Sequence, residues 1–271
     1  MAEHGVNNLP PLVYITGASS GLGQAMAWHY YQRGWSVALV ARRRALMEQW
    51  ATDKQLQADR YAIYEADVEV IDSICNAGRA CIEQQGLPDV VIANAGVSWG
   101  VDTSQREDLD VMQRVLNCNT MGMAASFQPF IEPMIARDSG RLVGICSVAG
   151  VRGLPGHAAY SASKAAAISY CESLRTELQS SGVAVISVLP GYVDTPLTRN
   201  NPYPMPFLLS PDAFASRAYR VIEQRRRLAV IPWQMGIVSR IMRWMPAWLW
   251  DKSTAGKVRK PRYIESVTKN E

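Results

Sequence analysis

The chain has 271 residues, 48% hydrophobic and 19% charged, with a formal net charge of +4. This excludes a disordered polyelectrolyte and a collagen-like or low-complexity repeat, and so small a basic excess does not argue for nucleic-acid binding across the whole chain. Five scattered cysteines without a CxxC pair and three dispersed histidines argue against a disulfide scaffold, a zinc ribbon and any metal site, and fit a reducing, cytoplasmic setting.

Met1-Ala2-Glu3-His4-Gly5 carries no basic, apolar leader, and no run of about 18 apolar residues occurs, so neither a secretory signal nor a spanning helix is expected. Residues 12–16 read as an apolar strand running into a glycine-rich turn. A helix over 22–33, stopped by Gly34, leads to a strand over 36–40. A helix over 44–57 precedes a strand over 61–66, and a helix over 70–85 precedes a strand over 89–93. A long helical stretch covers 109–137, where Pro129 and Pro133 are expected to bend or interrupt it. Then come a strand over 141–146, a helix over 158–181, a strand over 183–189, a helix over 211–227 and a short strand over 228–231. This rhythm predicts right-handed βαβ units in one α/β domain, a doubly wound parallel sheet of about seven strands with helices on both faces.

The first strand ends in Thr16-Gly17-Ala18-Ser19-Ser20-Gly21-Leu22-Gly23. Three glycines at a strand-to-helix junction permit positive φ and close backbone approach, and the helix start offers N–H groups to a pyrophosphate. A glycine-rich turn with no ligand is the plain alternative. Further along, Tyr160 and Lys164 are four apart on the helix over 158–181 and share a face. An ammonium beside a phenol favours its ionised form and suits it to proton transfer. Lys164 is the sole lysine between Lys54 and Lys252 in a chain that otherwise uses arginine.

TGxxxGxG followed by YxxxK resembles the classical short-chain dehydrogenase/reductase family, and TGASSGLG matches at every fixed position. The resemblance covers about residues 11–231. It implies a Rossmann-type fold and a nicotinamide dinucleotide held by Gly17, Ser19, Ser20, Gly21, Leu22 and Gly23. It also implies adenine contacts from Asp67-Val68, a turn at Asn94-Ala95-Gly96, and a nicotinamide amide held by Pro190, Gly191, Val193 and Thr195. Ser147, thirteen residues before Tyr160, and Asn119 complete the implied catalytic set with Tyr160 and Lys164. Tyr160 and Lys164 then also contact the cofactor.

After Val40 the sequence reads Ala41-Arg42-Arg43-Arg44, without the acid that usually binds a ribose 2′-OH. Three cations at a helix start oppose its dipole and make sense beside a 2′-phosphate. NADP(H) is therefore favoured over NAD(H), with Arg42 on the phosphate and Ser19 or Arg43 beside it; a solvated basic turn is the alternative.

The expected reaction is hydride transfer between nicotinamide and a carbonyl or secondary alcohol. Val97, Ser98, Trp99 and His157 are candidate pocket residues, under an apolar lid over 197–210 that suits a lipophilic substrate. A catalytically silent NADP(H)-binding regulatory or scaffold protein is the competing reading. Residues 1–231 are expected to form the catalytic and cofactor-binding part, and 232–271 to complete its substrate end. Trp233, Trp244, Trp248 and Trp250, with Arg240, Arg243 and the basic stretch after Lys252, also suit peripheral membrane contact, with packing against the substrate lid or a partner subunit as the favoured alternative. The resemblance implies a homodimer or homotetramer, and residues 266–271 read as a loose tail.

Overall fold

Strands whose successive side chains are all apolar need a helical layer on each face. The computed structural model describes residues 10–199 and 201–263. Among these, β1 (Leu12–Thr16), β2 (Ser36–Ala41), β3 (Tyr61–Glu65), β4 (Val90–Ala93), β5 (Gly140–Ile145), β6 (Val183–Pro190) and β7 (Leu228–Ile231) form one parallel sheet in the order β3-β2-β1-β4-β5-β6-β7. Leu12 and Tyr14 face one apolar layer with Val91, Phe127 and Leu142, while Val13 and Ile15 face the other with Met26 and Leu39. Complete burial of each such side chain contributes about 1.5–3 kcal/mol.

The helices are α1 (Gly21–Tyr31), α2 (Arg44–Asp53), α3 (Ile71–Gln85), α4 (Arg106–Leu116), α5 (Gly122–Ala136), α6 (Ala158–Glu177), α7 (Pro211–Glu223), α8 (Trp233–Trp244) and α9 (Ala247–Thr254). α2, α6 and α7 stop about a turn short of their expected ends. Gln55 (φ 53°) and Arg225 (φ 51°) turn left-handed just past α2 and α7, which closes those helices.

The expectation for residues 109–137 needs a correction. The stretch divides at a widened π turn over Asn117–Met121, and both prolines lie inside α5. Pro129 removes the N–H that would bond Ala125 O, and the Cys75 thiol donates to that carbonyl instead, at 3.5 Å. Gly78 leaves room for the ring, since a Cβ there would lie 2.8 Å from Pro129 Cγ. The expectations for the first five residues and for 266–271 lie outside the described residues.

Strand order reverses between β1 and β4, so the chain leaves their carboxyl ends in opposite directions. That switch point is where open α/β sheets bind ligands.

Candidate active site

The glycine turn starts at this switch point, tied down from β4. Thr16 Oγ1 accepts from Asn94 N at 3.0 Å and Ala95 N at 3.1 Å, and Asn94 Nδ2 donates to Thr16 O at 2.9 Å. Gly17 (φ 69°) has no room for a side chain: a Cβ would lie 2.9 Å from both Ala95 Cα and Asn94 Nδ2. A Cβ on Gly23 would run into the Gly17 carbonyl oxygen. α1 begins with no side-chain cap on Ser20 and no acid in its first turn, which leaves its N–H groups and its dipole for an anion.

A cleft of about 410 Å³ runs from this turn along the sheet's carboxyl edge. Its walls include Ser19, Ser20, Gly21 and Leu22 on one side and Asp67, Val68, Asn94, Ala95 and Gly96 on another. Pro190, Gly191, Val193 and Thr195 line it near Tyr160 and Lys164. The tight glycine turn, the uncapped helix start and the length of the cleft fit a dinucleotide.

The three arginines diverge. Arg42 lies 3.6 Å from Asp67 and 3.8 Å from Glu69. Arg43 reaches the glycine turn, donating to Ser19 Oγ at 3.0 Å and Ser20 Oγ at 3.3 Å. Arg44 turns away to Glu48 at 2.7 Å. Arg42 and Arg43 both line the cleft.

The π turn delivers Asn119 to the interior, fully buried. Its Nδ2 donates to Val97 O and Ser163 Oγ, both at 2.9 Å, and its Oδ1 accepts from Val97 N at 2.8 Å. Lys164 Nζ donates to Ile145 O at 2.9 Å and stands 5.9 Å from the Tyr160 ring centroid. Gly96 keeps Lys164 and Asn119 close, since a Cβ on it would lie 3.0 Å from Asn119 Oδ1 and 3.5 Å from Lys164 Nζ. Ser147 follows β5 and its Oγ accepts from Ala149 N at 3.1 Å.

A second cavity, about 290 Å³, opens beyond Ser147 and Tyr160. Ser98 and His157 line it as expected, as do Leu197, Tyr203 and Pro206 from the lid region. Trp99 departs from expectation. It packs on the Tyr263 ring at 4.7 Å, beneath the Arg114 guanidinium. Phe207 and Leu208 of the lid region are exposed.

A family model described as short chain dehydrogenase matches residues 11–204. The chain belongs to that family. The dehydrogenase is 35% identical over 237 residues to an uncharacterized oxidoreductase of Myxococcus xanthus, covering 88% of this chain and 93% of that protein. It is 35% identical over 195 residues to the dehydrogenase/reductase SDR family protein 7-like of Anopheles gambiae, covering 70% of this chain and 61% of that one. The dehydrogenase thus spans less than two thirds of the mosquito protein. A crystal structure of actinorhodin polyketide ketoreductase with NADPH shares its fold, with a TM-score of 0.73 over 82% of this chain and 95% of that one at 23% identity. The dehydrogenase is therefore an oxidoreductase acting on CH–OH/C=O groups with NAD(P).

Sequence reasoning missed much of the second cavity of this dehydrogenase. Met235, Val238, Met242 and Trp250 line it from α8 and α9, together with Lys257 and Lys260. The Trp and basic residues of that stretch were visible, but nothing in their spacing says which of them fold inward. Trp250, one of the tryptophans left between membrane contact and inward packing, donates from Nε1 to Gly153 O at 3.2 Å. Arg43 was named only beside Arg42, and no sequence signal separates the two.

Proposed function

We propose that the dehydrogenase uses NADP(H) to interconvert a lipophilic carbonyl compound and its secondary alcohol. The observation that carries this reading is that Ser147 and Tyr160 line both cavities at once. A substrate in the second cavity would thus meet a dinucleotide in the first at the groups suited to the proton chemistry. A bound nicotinamide supplies or takes the hydride. In reduction, Tyr160 donates its hydroxyl proton to the carbonyl oxygen, and Ser147 donates a hydrogen bond to the same oxygen. The Lys164 ammonium stabilises the charge this leaves on the phenol. Asn119 is a positioning residue: both its amide hydrogens are used, so it would steady a relay water from its turn's carbonyl groups. Residues 1–231 carry this machinery and 232–271 supply the substrate end, a division supported by the α8 residues in the second cavity.

The preference for NADP(H) rests on Arg42 and Arg43 in the cleft and on Ala41 where an acid would bind the 2′-OH. Removing one guanidinium from a phosphate loses a charge-assisted hydrogen bond, about 1.5–3 kcal/mol. Arg42→Ala and Arg43→Ala should each weaken NADPH binding by about tenfold or more and leave NADH binding within about twofold. Fluorescence titration at one salt concentration measures both. NADH binding to the unmodified protein as tightly as NADPH would refute the preference. NADPH binding without oxidation by any lipophilic ketone or aldehyde would favour the silent regulatory reading.

A membrane-surface role is favoured by the outer side of α8 and α9. Trp233, Ile237, Ile241 and Trp244 recur at helical spacing along α8, Trp248 is exposed on α9, and Trp244 is 85% exposed. Arg240, Arg243 and Lys252 lie among them. Among the described residues no helix is long and apolar enough to cross a membrane. The full chain should co-sediment with vesicles of phosphatidylcholine and phosphatidylserine. Trp244→Ala with Trp248→Ala should lower the bound fraction about fivefold. Equal sedimentation of both proteins would remove the membrane role. A homodimer or homotetramer joined through the active-site helices belongs to the same proposal, and sedimentation equilibrium measures it.

A further inference from the structure

We infer that the substrate carries a carboxylate and that the Lys260 ammonium anchors it in the second cavity. This rests on the reaction proposed at Ser147 and Tyr160 and names the class of molecule it acts on.

The final described stretch holds four cations, Lys257, Arg259, Lys260 and Arg262. The two arginines are matched with carboxylates. Arg262 forks onto Asp108, Nε to Oδ2 at 2.7 Å and Nη2 to Oδ1 at 3.0 Å, and reaches Glu107 at 3.1 Å. Arg259 lies 3.6 Å from Asp102. Gly100 bridges backbone to backbone with Arg262, and Tyr263 N donates to Gly100 O at 3.2 Å. The tail is thus strapped across residues 98–108, and the strap sets Lys260 against the second cavity.

Lys260 is matched differently. Its Nζ donates to Ser98 Oγ at 2.8 Å, and among the described residues it has no carboxylate partner. Burial pushes this ammonium down to about 8. A desolvated cation is stabilised by a counter-charge, and an ammonium with three donors, one on Ser98, has two left for a carboxylate. Lys257 lines the same cavity and adds positive charge.

The nearby polar groups leave this charge unanswered. His157 Nδ1 faces Pro155 O at 3.1 Å, and a carbonyl can only accept, so Nδ1 carries the proton. Nε2 then accepts from the Tyr203 hydroxyl at 2.9 Å. Burial holds His157 below its ordinary value, which keeps the pair neutral at neutral pH. Much of the rest is apolar, including Val148, Leu154, Met235, Val238 and Met242. A half-buried cation at the wall of a largely apolar cavity selects an amphipathic acid: an apolar body, a carboxylate on Lys260, and a carbonyl or hydroxyl within reach of Ser147 and Tyr160.

The test compares octanoate with 1-octanol, chains of equal length that differ in charge, by calorimetric titration at pH 7 into the full chain, free and NADP-saturated. Octanoate should bind at least about tenfold more tightly. Lys260→Met should abolish that preference and leave 1-octanol affinity within about twofold, and Lys260→Arg should retain part of it. Equal binding of the two probes, binding of neither, or a preference that survives Lys260→Met overturns the inference. If Lys260→Met fails to fold, the ratio on the unmodified protein and on Lys260→Arg decides. NADPH titration of the same samples keeps the two readings apart. Octanoate preference without NADPH binding sinks the proposed NADP(H) reaction alone, and NADPH binding without octanoate preference sinks the carboxylate anchor alone.

Discussion

Tyr160→Phe should lower kcat by at least about a thousandfold while NADPH affinity stays within about twofold. The substitution removes one oxygen and leaves the ring against its neighbours, so the fold has little to adjust. What is lost is the proton that must reach the carbonyl oxygen as hydride arrives. Lys164 remains, but its Nζ is engaged with Ile145 O at 2.9 Å and stands 5.9 Å from the ring centroid. Ser147 can still hold the oxygen, which would account for residual turnover. Single-turnover kinetics with a saturating ketone, alongside NADPH titration, separates the two effects. A Phe variant within about tenfold of the unmodified kcat would remove Tyr160 from the chemistry.

Gly23→Ala should weaken NADPH binding by about a hundredfold and destabilise the protein by about 1–3 kcal/mol. The added methyl would meet the Gly17 carbonyl oxygen and lie 2.7 Å from Asn94 Nδ2. Neither neighbour is a flexible side-chain end. One is backbone, and the other is held by its 2.9 Å bond to Thr16 O. The turn must therefore open, and its N–H groups lose their aim at the pyrophosphate. Gly153→Ala is the control: nothing lies within 4 Å of its added methyl, and both stability and NADPH affinity should be unchanged. Thermal denaturation and fluorescence titration of the two variants provide the comparison. An unaffected Gly23→Ala protein would show that the turn tolerates expansion.

The parts that were legible in sequence are those whose signal is local. β1 has the bounds its apolar run predicts, because a strand buried on both faces tolerates little else. The glycine turn was legible because Gly17, Gly21 and Gly23 cluster at one strand-to-helix junction, although the contacts that exclude a side chain at Gly17 come from the distant Asn94 and Ala95. Tyr160 and Lys164 were legible because one helix face joins them. The break at Asn117–Met121 was hidden. Two prolines pointed downstream, and the features that absorb Pro129, Cys75 and Gly78, lie on another helix. Lys260 was hidden for a similar reason. A basic tail beside tryptophans suits a membrane surface, and only partners as distant in sequence as Ser98, Asp102 and Asp108 turn it inward.

That distance matters for how preparations of this enzyme are judged. Among the described residues, all those lining the dinucleotide cleft lie between Gly17 and Thr198, whereas the second cavity draws its wall from as far as Lys260. A polypeptide emerging from the ribosome completes the first set well before the second. A molecule clipped after Ile231 keeps the whole lining of the cleft and lacks Met235, Met242, Lys257 and Lys260 from the other. Dinucleotide binding is therefore no assay of an intact carboxyl terminus. Active-site counts, and the placement of affinity tags, need a probe that occupies the second cavity.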